Sequence, residues 1–142
     1  MSLDDIKRQF VEQVKLRAYD DKYIDKTEER EILQLALQQG VTVDSARSAL
    51  AQVCENNGYV LESSVLAKIK ELIEQFASND GQIDEKEFKD AVAICKKATQ
   101  GRKNDIACKR MVIEVIDDNA FKTSKGWFSN WYAAIKKEVG MA

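Results

Sequence analysis

Asn79-Asp80-Gly81-Gln82-Ile83-Asp84 is the stretch that decides the fold, because variants of it occur four times between segments with helical periodicity. The other three copies are 20–25 (DDKYID), 56–61 (NNGYVL) and 117–122 (DDNAFK). Each copy has two Asx residues, a position that tolerates a turn, any residue, and then an apolar residue. Asx side chains bond their own backbone, and glycine adopts left-handed dihedrals without steric cost. The pattern predicts four tight turns, each anchored in the core by its apolar residue.

Helical spacing dominates the segments between the turns. The chain has no proline, and its β-branched residues never alternate with polar residues over the length of a strand. We therefore expect an all-α fold of about seven helices. The expected helices cover about residues 4–18, 26–39, 44–55, 62–77, 84–100 and 103–116, and a seventh opens at Thr123 or Ser124. The core positions of the fourth helix are expected at Val65, Ile69, Leu72 and Phe76, and the sixth helix is expected to bury Ile106.

The two halves of the sequence resemble each other. The first and third turns begin 59 residues apart, at Asp20 and Asn79, and the second and fourth begin 61 apart, at Asn56 and Asp117. Both halves contain an acid-rich helix, a glycine-containing turn, a second helix and an Asx turn. We expect a single domain over residues 1–142, with an internal duplication over about 4–61 and 62–138 that gives two similar helical halves.

Composition narrows the class of protein. The chain has 142 residues, of which 44% are hydrophobic and 32% charged, and no apolar run long enough to cross a membrane. It has no histidine, which removes the commonest zinc ligand and the Ser-His and Cys-His catalytic pairs. Cys54, Cys95 and Cys108 lie among apolar helical residues, as expected of buried free thiols in a reducing cytoplasm. We expect a cytoplasmic protein that is not an enzyme and does not insert into a membrane.

Charge gives no indication of a nucleic-acid partner. The net charge is −2, so the chain as a whole does not attract phosphates. A basic cluster runs from Lys96 to Arg110, and we interpret it as solvated helix faces rather than as a binding surface for nucleic acid. Segregated charge of this kind favours docking to a protein partner.

The third turn matches the second half of a calcium-binding EF-hand loop. Asp80, Gly81, Ile83, Asp84 and Glu87 stand at loop positions five, six, eight, nine and twelve. In that pattern the glycine permits the sharp turn, the apolar residue joins the core, and the last glutamate binds calcium with both oxygens.

The first turn presents Asp21, Asp25 and Glu28 in the same register. The first half of the loop fails in both turns, because Arg17 and Phe76 stand at loop position one and supply no carboxylate. Such a site should bind calcium or magnesium weakly, with a dissociation constant on the order of 10⁻⁴ to 10⁻³ M. The candidate metal ligands are Asp21, Asp25, Glu28, Asp80, Asp84 and Glu87.

Other roles for the same acids remain open. Asp25 with Glu28, and Asp84 with Glu87, have the spacing of capping boxes at helix N-termini. The acids could also form a protein-docking patch. A degenerate EF-hand-type calcium-binding protein is one alternative function, and an uncharacterised enzyme that uses paired carboxylates as general acid and base is another.

The last helix is unusually aromatic. Trp127, Trp131 and Ile135 form one stripe at helical spacing, and Phe128 and Tyr132 form a neighbouring one. Core packing explains such a surface, and so does a groove for a partner or a dimer contact.

The chain resembles the TerB family of tellurite-resistance proteins, including the TerB domain of DnaJ-like cochaperones. The resemblance rests on 80–87 (DGQIDEKE) and 20–29 (DDKYIDKTEE), and Lys22 departs from the glycine of the family pattern. It implies a bundle of paired helical units whose acidic turns hold divalent cations. It also implies a scaffold or stress-response adaptor that binds a protein partner, and it carries the candidate ligands Asp21, Asp25, Glu28, Asp80, Asp84 and Glu87.

Overall fold

The computed structural model describes residues 2–17, 22–125 and 130–141. Within these residues it has seven α-helices and four strands of two residues each, so the all-α prediction is confirmed. The helices are α1 (Leu3–Arg17), α2 (Lys26–Gln38), α3 (Val43–Asn57), α4 (Glu62–Asp80), α5 (Glu85–Ala98), α6 (Asp105–Asp118) and α7 (Trp131–Glu138). The strands are β1 (Tyr23–Ile24), β2 (Val60–Leu61), β3 (Gln82–Ile83) and β4 (Lys122–Thr123).

The chain forms two compact units, Met1–Ser64 and Val65–Ala142, and the boundary falls in the first turn of α4. In the first unit, α1, α2 and α3 pack against one another. Strand β1 pairs in parallel with β2, with Tyr23 opposite Val60 and Ile24 opposite Leu61. The largest fully buried side chains of this unit are Ile6, Phe10, Val14, Ile24, Ile32 and Leu50.

The second unit repeats this order and adds a helix. The chain runs through α4, β3, α5, α6 and β4, and α7 follows. Strand β3 pairs in parallel with β4, with Gln82 opposite Lys122 and Ile83 opposite Thr123. Helix α6 packs against both α5 and α7. The largest fully buried side chains here are Ile69, Ile73, Ile83, Phe88, Ile113 and Ile116.

In the described part of the chain, each of the four turns contains one residue with left-handed backbone dihedrals. The φ angles are 54° at Lys22, 72° at Gly58, 78° at Gly81 and 54° at Ala120. The fourth turn corrects the sequence alignment, which placed the turn position at Asn119. With Ala120 as the counterpart of Gly58, the second and fourth turns are 62 residues apart rather than 61.

The two units share their polar contacts as well as their order. The Asn57 side chain donates to the carbonyl oxygen of Val53 at 2.7 Å, and that of Asn119 donates to the carbonyl oxygen of Val115 at the same distance. Thr42 caps α3 and Asn104 caps α6, each through a side-chain oxygen that accepts the amide three residues later. The prediction of two similar helical halves therefore extends to individual hydrogen bonds.

The seventh helix begins later than predicted. Thr123 belongs to β4, and the described part of the last helix starts at Trp131, with Asn130 as its N-cap. Two residues of the predicted aromatic stripes, Trp127 and Phe128, lie outside the described residues.

Three predicted core positions, Leu72, Phe76 and Ile106, are not fully buried. Ile73, rather than Leu72 and Phe76, continues the buried stripe of α4, because that stripe runs in steps of four residues from Val65. Ile106 is 47% exposed. It precedes the buried Cys108 by two residues, and this spacing turns it about 200° away from the buried face of α6.

No helix in the described part of the chain combines the length and the apolar character needed to span a bilayer.

Replacing Ala120 by glycine should stabilise the protein, because alanine pays a steric cost at a φ of 54° that glycine does not. We expect a gain of about 0.5–1 kcal/mol in the free energy of unfolding, measured by urea denaturation. The matched control is Ala93→Gly in the exposed middle of α5, which should lose about 1 kcal/mol. Shifts of the same sign in both variants would contradict the assignment of the turn.

Candidate functional site

The acids of the first turn cap a helix. The amide of Glu28 donates to Oδ1 of Asp25 at 2.8 Å, and the amide of Asp25 donates to Oε1 of Glu28 at 3.2 Å. This reciprocal pair satisfies two amides at the start of α2. The capping interpretation is confirmed here, whereas Asp21 lies outside the described residues.

The third turn is built in the same way. The amide of Glu87 donates to Oδ1 of Asp84 at 2.7 Å, and the amide of Asp84 donates to Oε1 of Glu87 at 3.0 Å. Oδ1 of Asp80 accepts the amide of Gln82 at 3.0 Å, which closes an Asx turn. A glutamate that bound calcium with both oxygens would have to release its bond to the Asp84 amide. The geometry therefore favours capping over cation binding at this turn.

Metal binding stays a prediction. Across residues 2–17, 22–125 and 130–141, no group of three or more acidic or cysteine side chains is arranged to hold an ion. The structure places the carboxylates of Asp25, Glu28, Asp80, Asp84 and Glu87, and each of them accepts a backbone amide of its own turn.

A cleft on the first unit is the best candidate for a functional site. It has a volume of about 410 Å³ and lies along α2, with the start of α3 as its second wall. We call it the α2–α3 cleft. Its lining residues are Lys26, Glu29, Arg30, Leu33, Gln34, Leu37, Val43, Arg47 and Ser63.

One end of the α2–α3 cleft contains a buried carboxylate. Glu29 is only 8% exposed, and its Oε1 accepts a hydrogen bond of 2.9 Å from the hydroxyl of Ser63. A buried carboxylate is costly unless hydrogen bonds compensate for its lost hydration. Ser63 supplies one such bond. It is the second residue of α4, and α4 begins directly after β2, which pairs with the strand that precedes α2.

The buried position of Glu29 was not predicted from the sequence, although the spacing of α2 contains a signal for it. Glu29 precedes Ile32 by three residues and Leu33 by four, so it lies on the buried face of α2. A charged residue at an apolar register position indicates either a buried polar contact or a binding site.

The negative charge of Glu29 also affects the pKa of the buried Cys54 thiol. Burial, together with a smaller contribution from the charge of Glu29, raises the pKa of the Cys54 thiol to about 11. A thiol with such a pKa is protonated at neutral pH and is a poor nucleophile. Cys54 is therefore structural, in agreement with the prediction of buried free cysteines.

The rest of the α2–α3 cleft combines apolar and cationic surface. Leu33 is buried beneath it, whereas Leu37 and Val43 are 44% and 40% exposed. Arg30 and Arg47 are exposed residues of the lining, on α2 and α3 respectively. Such a surface suits a ligand that offers both apolar groups and negative charge.

The aromatic last helix is part of the core of the second unit. Trp131 and Tyr132 are each 9% exposed, and their rings lie 5.5 Å and 6.3 Å from the ring of Phe88. The hydroxyl of Tyr132 donates to Oδ1 of Asp117 at 2.8 Å, and Lys136 pairs with Oδ2 of the same carboxylate at 2.8 Å. Burial raises the pKa of Tyr132, and the hydrogen bond to Asp117 raises it in the same direction. For Trp131 and Tyr132, core packing is confirmed.

Part of the basic cluster forms contacts within the second unit. Lys96 pairs with Asp105 at 3.0 Å. Lys109 pairs with Glu138 at 3.1 Å, and Nε of Arg110 donates to the carbonyl oxygen of Val139 at 2.8 Å. The pair of Lys96 and Asp105 joins α5 to α6, and the contacts of Lys109 and Arg110 hold the C-terminal end of α7 against α6.

Comparison of the chain with models of protein families, with curated proteins and with solved structures gives no match.

Replacing Asp84 separates helix capping from cation binding. Asp84→Ala removes the N-cap of α5 and should cost about 1 kcal/mol in the free energy of unfolding, whether or not calcium is present. Asp84→Asn should cost little, because asparagine caps as well as aspartate. Thermal denaturation with and without millimolar calcium measures both effects.

Calcium binding at the third turn would give a different result in the same measurement. If the third turn binds calcium, the wild-type melting temperature rises with calcium and Asp84→Asn loses most of that rise. The amides of Gly81 and Ile83 would then show saturable shifts in a ¹⁵N spectrum as calcium or magnesium is added. We expect the signals of those amides not to shift when calcium or magnesium is added.

The raised pKa of Cys54 predicts a contribution to stability that depends on pH. The folded state keeps the thiol protonated above its ordinary value of 9.0, so this contribution is complete below that pH. It is lost as the pH rises from 9.0 towards about 11, because the unfolded chain ionises first.

The comparison variant for this prediction is Cys54→Ala. The difference in unfolding free energy between wild type and Cys54→Ala should narrow over that pH range, as measured by urea denaturation. Val53→Ala, a buried change on the same helix without a titrating group, should keep a constant difference from wild type. A constant difference for Cys54→Ala as well would contradict the raised pKa.

Proposed function

We propose that this protein is a non-catalytic interaction module, of the scaffold or adaptor type that the TerB resemblance implies. The observation that carries this proposal is the α2–α3 cleft of the first unit. It exposes apolar side chains beside arginines, in a protein whose other large apolar residues are mostly buried.

The shape and chemistry of the cleft support recognition of a polypeptide. Its volume of about 410 Å³ lies at the small end of the range for ligand pockets. The lining combines apolar residues of α2 and of the start of α3 with cationic residues of both helices. Helical segments of partner proteins dock on surfaces of this kind through apolar residues three and four positions apart.

The turn acids support a structural role rather than catalysis. Asp25, Glu28, Asp84 and Glu87 each accept a backbone amide at the start of a helix. Acid-base catalysis by paired carboxylates requires two groups that converge on a common substrate atom. Carboxylates that hold helix starts contribute to folding instead.

We further propose that the protein works in the reducing cytoplasm, where its three buried cysteines stay as free thiols. Weak binding of calcium or magnesium at the first and third turns is the second candidate function. The run of Asp80, Asp84 and Glu87 around one turn favours it, and the Asp84 variants described above test it.

Selection of peptides from a displayed random library tests the interaction function. We expect peptides to be enriched that cause saturable shifts in the ¹⁵N spectrum of the first unit, centred on Leu37 and Val43. Leu37→Asp should abolish their binding. The control is Ile94→Asp on α5, because Ile94 is 41% exposed and Leu37 is 44% exposed. A library that yields no peptide for any surface of the protein would contradict the proposal.

A further inference from the structure

We infer that the α2–α3 cleft is the docking site for an acidic amphipathic helix of a partner protein, seated as α7 is seated on the second unit. This inference rests on the proposed interaction function and adds the chemistry and direction of the ligand. It is carried by the correspondence between the two units: α7 of the second unit reaches both Phe88 and Lys109, whereas in the first unit the start of α4 reaches Glu29 through Ser63 and the lining from Leu33 to Arg47 is open.

The correspondence follows from the shared turns and caps. Lys22 corresponds to Gly81 and the N-cap Asp25 to the N-cap Asp84, which aligns α2 with α5. Gly58 corresponds to Ala120. With the matching side-chain bonds of Asn57 and Asn119, this aligns α3 with α6. On this alignment, the counterparts of Glu29, Leu37, Val43 and Arg47 are Phe88, Lys96, Asp105 and Lys109.

Helix α7 covers two of these counterparts. Its first turn packs Trp131 on Phe88, with ring centroids 5.5 Å apart. Its last turn brings Glu138 to Lys109 at 3.1 Å. The N-terminal end of α7 therefore lies at the position that Glu29 holds in the first unit, and its C-terminal end at the position of Arg47.

The buried carboxylate of Glu29 and the exposed guanidinium of Arg47 suit a helix in this same direction. The N-terminus of a helix carries partial positive charge, which favours a nearby carboxylate such as that of Glu29. The C-terminus carries partial negative charge, which favours Arg47. On the second unit, Lys109 and Arg110 already hold the C-terminal end of α7 in this way.

The charge of the lining determines that the ligand is acidic. Three cationic side chains and one acid line the cleft, and the acid is the buried Glu29. A carboxylate in the last turn of a bound helix would meet Arg47, as Glu138 meets Lys109.

Two differences between the units indicate that the preferred ligand of the cleft is not a helix with the sequence of α7. Glu29 replaces Phe88, so the aromatic contacts of Trp131 would be exchanged for contact with a buried carboxylate. Leu37 and Val43 replace Lys96 and Asp105, which form an ion pair on the second unit. The lining in the first unit is therefore apolar where its counterpart is charged.

The length of the cleft sets the length of the ligand. Glu29 and Leu37 lie eight residues apart on α2, which corresponds to about 12 Å along the helix. A helix of about three turns covers this distance. It should carry apolar residues at i, i+4 and i+7, and acidic residues beside them in its last two turns.

The test uses a designed helical peptide of about 14 residues with leucines at that spacing and glutamates on both sides in its last two turns. The control peptide has lysine in place of each glutamate. Binding to the full chain is measured by fluorescence anisotropy and mapped by ¹⁵N shifts. We expect the acidic peptide to bind with a dissociation constant in the micromolar range, and the basic peptide to bind at least about tenfold more weakly.

Variants of the protein locate the contact. Arg47→Glu should weaken binding of the acidic peptide about tenfold and reduce the dependence of its affinity on salt. Lys70→Glu makes the same charge change at an exposed residue of the second unit and should leave the affinity within about twofold. Both substituted side chains are exposed, so both variants should keep the wild-type melting temperature.

Each contrary outcome has a distinct meaning. Equal binding of the acidic and basic peptides, or an unchanged affinity in Arg47→Glu, would overturn the inference of an acidic ligand. If library peptides bind well but shift residues outside the cleft, the inference fails while the interaction function stands. Self-association of the wild-type protein in sedimentation, lost in Arg47→Glu, would overturn it in favour of a second copy as the occupant.

Discussion

The structure depends on a parallel pairing of two residues between the two turns of each unit. The amide of Val60 donates to the carbonyl oxygen of Lys22 at 2.9 Å, and the amide of Ser124 donates to that of Ile83 at the same distance. Each pairing joins the ends of helices that are distant in sequence. It requires a left-handed residue just before the strand, which explains why the turn phrase recurs four times.

The same constraint explains the conspicuous acids. In the first and third turns the next helix starts two residues after the strand ends, and its first amides need acceptors. Asp25 with Glu28 and Asp84 with Glu87 supply them. Short acidic stretches of this kind resemble cation-binding loops in sequence because both use carboxylates beside a tight turn. The hydrogen bonds of their oxygens, rather than their spacing, distinguish the two roles.

Divergence between the units points to function. Both units have the same turns, caps and helix pair, and in the described residues of the second unit α7 packs over that pair through Phe88 and Lys109. The first unit keeps a buried carboxylate and exposed aliphatic residues at the corresponding surface. The two units thus share a scaffold but differ in the residues of one face. This pattern is expected when that face recognises a different ligand.

Local patterns in the sequence determined the helices, the turns and the capping boxes, because each depends on residues within about four positions of one another. The sequence also indicated the resemblance between the halves. Only the tertiary structure decided which turns pair, that Glu29 meets Ser63, and that Leu37 and Val43 border a cleft. These contacts join residues far apart in the chain, and no local periodicity records which helix faces meet.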